Sequence, residues 1–182
     1  DNYIPIHIFS LDTGRLFPET LDLIARTESK YKKRIEVLYP ERTSVESLVR
    51  EIGINGFYDS VDNRKSCCYV RKVEPLKRAL TGKSIWVTGL RAEQSSNRSE
   101  MQKLEWDEAN QIIKYNPLLD WSYDEMIAYI NQENIPYNPL HDKGFISIGC
   151  APCTRPISEG EDARAGRWWW EESKKECGLH AK

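Results

Sequence analysis

The 182-residue sequence contains no apolar run that approaches the ~20 residues of a membrane span. Its opening residues, DNYIPIHIFS, lack a basic region followed by small cleavage-type residues, so they do not read as a secretory signal. The expected compartment is the cytoplasm, where structural disulfides are rare. Charge of one sign is also missing: 26 basic against 28 acidic residues leave a formal −2. No global field draws the chain to nucleic acid or membrane, neither is an expected partner, and any anion site must be a local cluster. There is no internal repeat, low-complexity segment or linker. GxGxxG and GxxxxGK(S/T) are absent, as is any arguable Ser/His/Asp arrangement, which removes those motif-based routes to a nucleotide site or a nucleophile. With 40% hydrophobic and 30% charged residues, the chain has the composition and length of one α/β domain with a real core.

What is present is an uneven set of five cysteines. Cys67 and Cys68 are adjacent in VDNRKSCCYVRK, with Arg64, Lys65, Arg71 and Lys72 around them. Cys150 and Cys153 form a CxxC in GCAPCT, and Cys177 stands alone in KECGLH. Two pairs and one remainder in a cytoplasmic protein read as metal ligands plus one reactive thiol. Four thiolates suit zinc or an iron–sulfur cluster, and the CxxC spacing fits both. The adjacent pair favours a cluster, because neighbouring residues reach two different irons with less strain than they meet one ion. The alternative is a chance pair of small core residues. Cys177, with Lys174, Lys175 and His180 nearby, is either a thiol of raised thiolate fraction on a mobile tail or an exposed cysteine of no consequence.

Along the chain, IPIHIFSL (4–11) reads as a strand ending in the turn DTG. Residues 17–32 read as a helix with Pro18 near its start and Leu21, Ile24 and Ala25 on one face. RIEVLYP (34–40) alternates as a strand, and TSVESLVREIG carries a Thr43-x-x-Glu46 capping box with a Gly53 stop. VEPLKRALTG reads as a helix, SIWVTGLR as a strand breaking at Gly89, and QIIKYNPL (111–118) as another strand. Ser122-x-x-Glu125 opens the helix YDEMIAYINQ, with Trp121 and Met126 spaced for a hydrophobic staple. Strands alternating with helices imply a parallel sheet covered on both faces, with ligands at the strand carboxyl ends. The informative loops are then SLDTG, VTGLR and the segment after YNPL. The core is expected over about 1–135, followed by a loop-rich tail over about 136–182 that something must tie down.

If the four thiolates converge, the chain near Arg64–Lys72 and near Arg155–Arg167 must also converge. That gathers arginines suited to phosphate or sulfate oxygens, together with Arg91 and Arg98 after a strand end. Arg64 and Arg155 are individually expected to be solvated surface residues. The RWWWEE run could offer a stacking or docking surface, but packing of the tail is the expectation, and His7 and His141 are expected to be structural.

SLDTG, CCYVRK, VTGLRAEQS, YNPLHD, IGCAPCTRP, EDARAGRWWWE and KECGLH together resemble the assimilatory adenylyl-sulfate (APS) reductases of the wider APS/PAPS reductase family, over about residues 4–180. The resemblance implies an adenine nucleotide alpha hydrolase-like α/β fold, with a parallel twisted sheet flanked by helices. It implies a [4Fe–4S] cluster on Cys67, Cys68, Cys150 and Cys153, and a nucleophilic Cys177. It places Leu11 and Gly89 near the adenosine, and Lys72, Arg98, Arg164 and Arg167 on the phosphosulfate. It implies reduction of APS to sulfite and AMP through an S-sulfocysteine, with thioredoxin as electron donor. The family's preceding strand, phosphate-binding loop and helix are not matched, so the chain reads as one reductase domain, 1–182, without that segment. PAPS or dual use, a zinc-bound nucleotide-binding module and a relative that activates nucleotides for sulfur transfer are the alternatives; a homo-oligomer is left open.

Overall fold

The computed structural model describes residues 6–94 and 100–172. They divide into two compact units: residues 6–79 with 150–152, and residues 80–94 and 100–149 with 153–172.

In the first unit, β1 (Phe9–Leu11) and β2 (Glu36–Leu38) pair in parallel, Leu11 opposite Leu38. The Asp12 N–H extends the ladder by donating to the Leu38 carbonyl at 2.9 Å. Between them runs α1 (Pro18–Tyr31), begun by proline in its first turn, where a missing N–H costs nothing. It forms where expected but buries none of its residues, and Leu21 of the anticipated core face is exposed. Local bonds support it instead, including the Arg26–Asp22 pair and the Thr27 hydroxyl donating to the Leu23 carbonyl. Next, α2 (Arg42–Ile52) buries Leu48 and stops at Gly53. Its N-cap is Glu41, with no side-chain cap bond, so the expected Thr43 capping box does not form: the helix starts two residues earlier and Thr43 lies inside it.

The CC segment is helical. α3 (Val61–Cys68) is capped by Ser60, whose hydroxyl accepts from the Asn63 N–H. It runs through one π-helical turn, Tyr69–Val73, into α4 (Glu74–Leu80). Single π-turns inside α-helices are often found at functional sites. Here the turn follows Cys67 and Cys68, and Arg71 and Lys72 within it are buried.

The second unit holds a mixed sheet in the order β3 (Ile85–Val87), β5 (Ile112–Tyr115), β4 (Leu104–Asp107). β3 and β5 are parallel; β4 turns back antiparallel on β5. On one face Lys114 pairs with Glu105 directly opposite at 3.2 Å, its ammonium 5.7 Å from the Trp86 ring centroid. The other face presents Ile85, Val87, Leu104, Trp106, Ile113 and Tyr115, all exposed. The expected α/β arrangement of parallel strands with helices is present, while this face of the sheet stays exposed among the described residues. α5 (Tyr123–Gln132) carries the anticipated capping box, Ser122 and Glu125 each bonding the other's backbone N–H. Trp121, expected against Met126, sets its ring edge-on to Tyr129. No described helix is long and apolar enough to cross a membrane.

Candidate active site

In the first unit the SLDTG loop at the end of β1 meets both cysteine segments. The Thr13 hydroxyl lies 3.2 Å from Cys150 Sγ, with Thr13 almost fully buried. The Arg15 carbonyl accepts from the Ala151 N–H at 2.8 Å, and the Tyr58 hydroxyl donates to the Pro152 carbonyl at 2.6 Å. From the π-turn, Arg71 Nη1 donates to the Thr13 carbonyl at 2.7 Å. Gly14 sits beside this guanidinium at φ 70°, a left-handed conformation that disfavours a side chain. Burial pushes the Cys67 thiol up; the Arg71 and Arg15 guanidiniums oppose the rise, and Cys150 adds to it.

The four described cysteines form no disulfide. No group of three His, Cys, Asp or Glu side chains among the described residues is placed to hold a metal ion. A cubane makes a different demand from a single ion, since each thiolate ligates its own iron. The donor chemistry fits: Cys67, Cys68 and Cys150 belong to one unit as thiols, and Cys153 follows at the end of the short 3₁₀ turn Ala151–Cys153.

The second unit contains a cavity of about 770 Å³. Gly89, Leu90 and Arg91 reach it from the end of β3, Tyr123 and Asp124 from the start of α5, and Arg164 and Arg167 from the tail. The strand ends are fixed by polar contacts, with Thr88 Oγ1 2.5 Å from the Oδ1 of fully buried Asn116, and the Thr88 N–H donating to the Tyr115 carbonyl. The tail is tied by an antiparallel bridge, Thr154 to Arg167, and by the Arg155 N–H to the Gly166 carbonyl. Trp168 anchors it, 1% exposed and left-handed at φ 43°, a backbone conformation that costs a non-glycine residue free energy. Tail packing was the expectation for these tryptophans, and Trp168 meets it; Trp169 is exposed.

Arg167 is buried with its guanidinium 4.6 Å from the Trp168 ring centroid, and its Nη1 reaches Ser147 Oγ and the Ile148 carbonyl at 3.3 and 3.4 Å. Gly149 makes room for it, because a Cβ there would overlap the Arg167 guanidinium. Gly149→Ala is expected to cost about 1–3 kcal/mol through this overpacking. Thermal unfolding would show it, and an unchanged melting temperature would mean that Arg167 has another place to go. His141, expected to be structural, lines the cavity; burial pushes its pKa down, against a backbone hydrogen bond at Phe145 and the Asp142 charge.

Of the residues singled out in the sequence, Gly89, Arg164 and Arg167 line one cavity, while Leu11 and Lys72 belong to the other unit. Arg98 and Cys177 lie outside the described residues. Arg64, expected at the surface, is 1% exposed. It stands within α3, where the helix turns it inward, so the solvated reading was wrong for it. Arg155 remains at the surface, bound through two nitrogens to Glu161. Thr13, Arg15, Tyr58, Glu93 and Tyr123 carried no signal of their own in the sequence.

The fold, with a cavity at a strand end, defines a class, the α/β proteins whose open sheets place such crevices beyond their strands. The same fold appears in FMN adenylyltransferase of Candida glabrata, at 16% identity and TM-score 0.54 over 98% of this chain and 56% of that one. A phosphoadenylyl-sulfate (PAPS) reductase from Candida auris, in a phosphate complex, superposes at TM-score 0.70 with 30% identity, covering 84% of this chain and 73% of that one. Two curated relatives are named adenosine 5'-phosphosulfate reductase. The protein of Allochromatium vinosum is 59% identical over 97% of this chain and 70% of its own length, and that of Burkholderia cepacia 55% over 97% and 71%. The phosphoadenosine phosphosulfate reductase domain matches residues 2–156. The chain belongs to the phosphoadenosine phosphosulfate reductase family and is an oxidoreductase acting on a sulfur group.

Proposed function

We propose that the protein reduces APS to sulfite and AMP, with Cys177 as nucleophile and a thioredoxin as electron donor, in sulfate assimilation in the cytoplasm. The observation that carries this reading is the cavity that Gly89, from a strand end, and two tail arginines, Arg164 and Arg167, line together. Guanidinium groups match the paired oxygens of a phosphosulfate, and a strand-end loop is where an α/β sheet receives a nucleotide. Leu11 and Gly89 are assigned to the adenosine, and Lys72, Arg98, Arg164 and Arg167 to the phosphosulfate.

The reaction balances as two displacements. The Cys177 thiolate attacks the sulfur of APS; a sulfur–sulfur bond forms, the bond from sulfur to the bridging oxygen breaks, and AMP leaves with that electron pair. The product is an S-sulfocysteine. A thioredoxin thiolate then attacks Cys177 Sγ, sulfite departs with the sulfur–sulfur electron pair, and the second thioredoxin thiol resolves the mixed disulfide. Thioredoxin is oxidised by two electrons and the sulfate sulfur reduced by two. Cys67, Cys68, Cys150 and Cys153 would hold a [4Fe–4S] cluster, which would tune the local charge rather than carry electrons. Around those residues the chain's own contribution is positional. Arg71 fixes the Thr13 loop, and Thr13 in turn meets Cys150.

PAPS is the second reading, favoured by the 30% identical solved reductase. APS is preferred because the reductases specific for PAPS generally lack the two cysteine pairs, and because the relatives at 50–59% identity bear the APS name. Arg164→Ala and Arg167→Ala should each weaken APS binding ten- to a hundredfold, the equivalent of one charge-assisted bond of about 1.5–3 kcal/mol. AMP binding should weaken much less, since AMP lacks the sulfonate oxygens. Calorimetric titration with both nucleotides decides this: equal losses would move these arginines to the α-phosphate or the scaffold, and no loss for either would remove the nucleotide from this cavity.

A further inference from the structure

Arg91 enters the cavity wall from the loop after β3, with its side chain 7% exposed. A guanidinium so nearly buried needs an acceptor and a countercharge. Its Nη1 lies 3.3 Å from Glu93 Oε2, and its Nε is buried with no hydrogen-bond partner. The same Glu93 oxygen accepts the Tyr123 backbone N–H at 2.7 Å. Tyr123 is the first residue of α5, and its N–H is one of those a helix cannot satisfy internally. The positive end of the helix also favours a carboxylate there. The Tyr123 ring then receives the Arg91 guanidinium carbon 5.6 Å from its centroid. One carboxylate oxygen thus ties two elements thirty residues apart, and Arg91 is held between the carboxylate and the ring.

We propose that Glu93 is a positioning residue for the nucleotide site. By binding both Arg91 and the start of α5, it fixes the Arg91 guanidinium as an anion-reading group in the cavity wall. The proposal rests on the nucleotide reading of this cavity. Without the tether Arg91 has rotamers that leave the wall, and binding must then supply the order that Glu93 now supplies. Glu93, 56% exposed, lines the same cavity, so its effect must be read through Arg91 to separate positioning from direct contact.

Glu93→Gln isolates this role, because the amide oxygen still accepts from Tyr123 while the charge that holds Arg91 is lost. In a double-mutant cycle read by AMP and APS titration, Glu93→Gln is expected to weaken nucleotide binding roughly tenfold when Arg91 is present. In an Arg91→Ala background it should change binding by less than about twofold. Glu93→Asp should recover part of the loss, and melting temperatures should shift little across the set. An equal effect of Glu93→Gln in both backgrounds, or no effect beside an intact Arg91, overturns the proposal. Arg164→Ala separates the two levels. If it weakens APS binding while Glu93→Gln does nothing, only the positioning role fails; if neither it nor Arg91→Ala affects either nucleotide, the cavity is not the nucleotide site and both readings fall.

Discussion

Cys177→Ser is expected to abolish turnover, by on the order of 10⁴-fold or more, while APS affinity stays near that of the unsubstituted protein. The size follows from the chemistry: a serine hydroxyl at neutral pH is not ionised, and removing the nucleophile of a covalent mechanism removes most of the rate enhancement. Unchanged affinity follows from the division of labour, because the groups assigned to the phosphosulfate are arginines and a lysine elsewhere in the chain. The comparison of KM with kcat separates the roles, since loss of a binding residue raises KM and loss of the nucleophile lowers kcat alone. Steady-state rates with reduced thioredoxin, alongside APS titration, supply both numbers. Surviving turnover would transfer the nucleophile to another residue.

The second large effect concerns the four cysteines assigned to a cluster. Cys68→Ser should lose most of the iron and acid-labile sulfide and lower the melting temperature by on the order of 10 °C, because a centre bound only by the folded state stabilises it by mass action. Cys68 ends α3 and is buried, so few waters could replace its thiolate. Cys177→Ser should leave iron and melting temperature unchanged. Equal iron loss in both variants would break the division between ligands and nucleophile. Stoichiometric zinc in a colourless, natively purified sample would replace the cluster with a single-ion site.

Periodicity was a good guide where a helix has an apolar face or a strong cap. Ser122 and Glu125 bond as spaced, and β3 and β5 lie inside their expected runs. It failed for α3, since VDNRKSCC has no apolar stripe and its cap runs from Ser60 to an asparagine rather than to Glu or Gln. Leu104–Asp107, with two acidic residues in four, also hid a strand whose charge is answered by Lys114 across the ladder. The site was legible as chemistry and not as geometry. The rule that ligands gather at strand ends pointed to the SLDTG and VTGLR loops; the first meets Cys150 and the second lines the cavity. Nothing local could show that Thr13 meets Cys150, that Arg71 braces the Thr13 loop, or that Glu93 joins Arg91 to Tyr123. The contacts from Thr13 to Cys150, from Arg71 to Thr13 and from Glu93 to Tyr123 are made by folding across 137, 58 and 30 residues of chain.

The account stands on a sulfo group passing to Cys177, and peptide mass mapping tests that directly. The protein is incubated with APS without thioredoxin, digested with trypsin and mapped over its cysteine peptides. The expected result is one sulfonate on the peptide ECGLHAK, none on the peptides containing Cys67, Cys68, Cys150 or Cys153, and loss of the adduct with release of sulfite when reduced thioredoxin is added. A sulfonate on any of those four cysteines, or turnover with no adduct on ECGLHAK at any time, would contradict it.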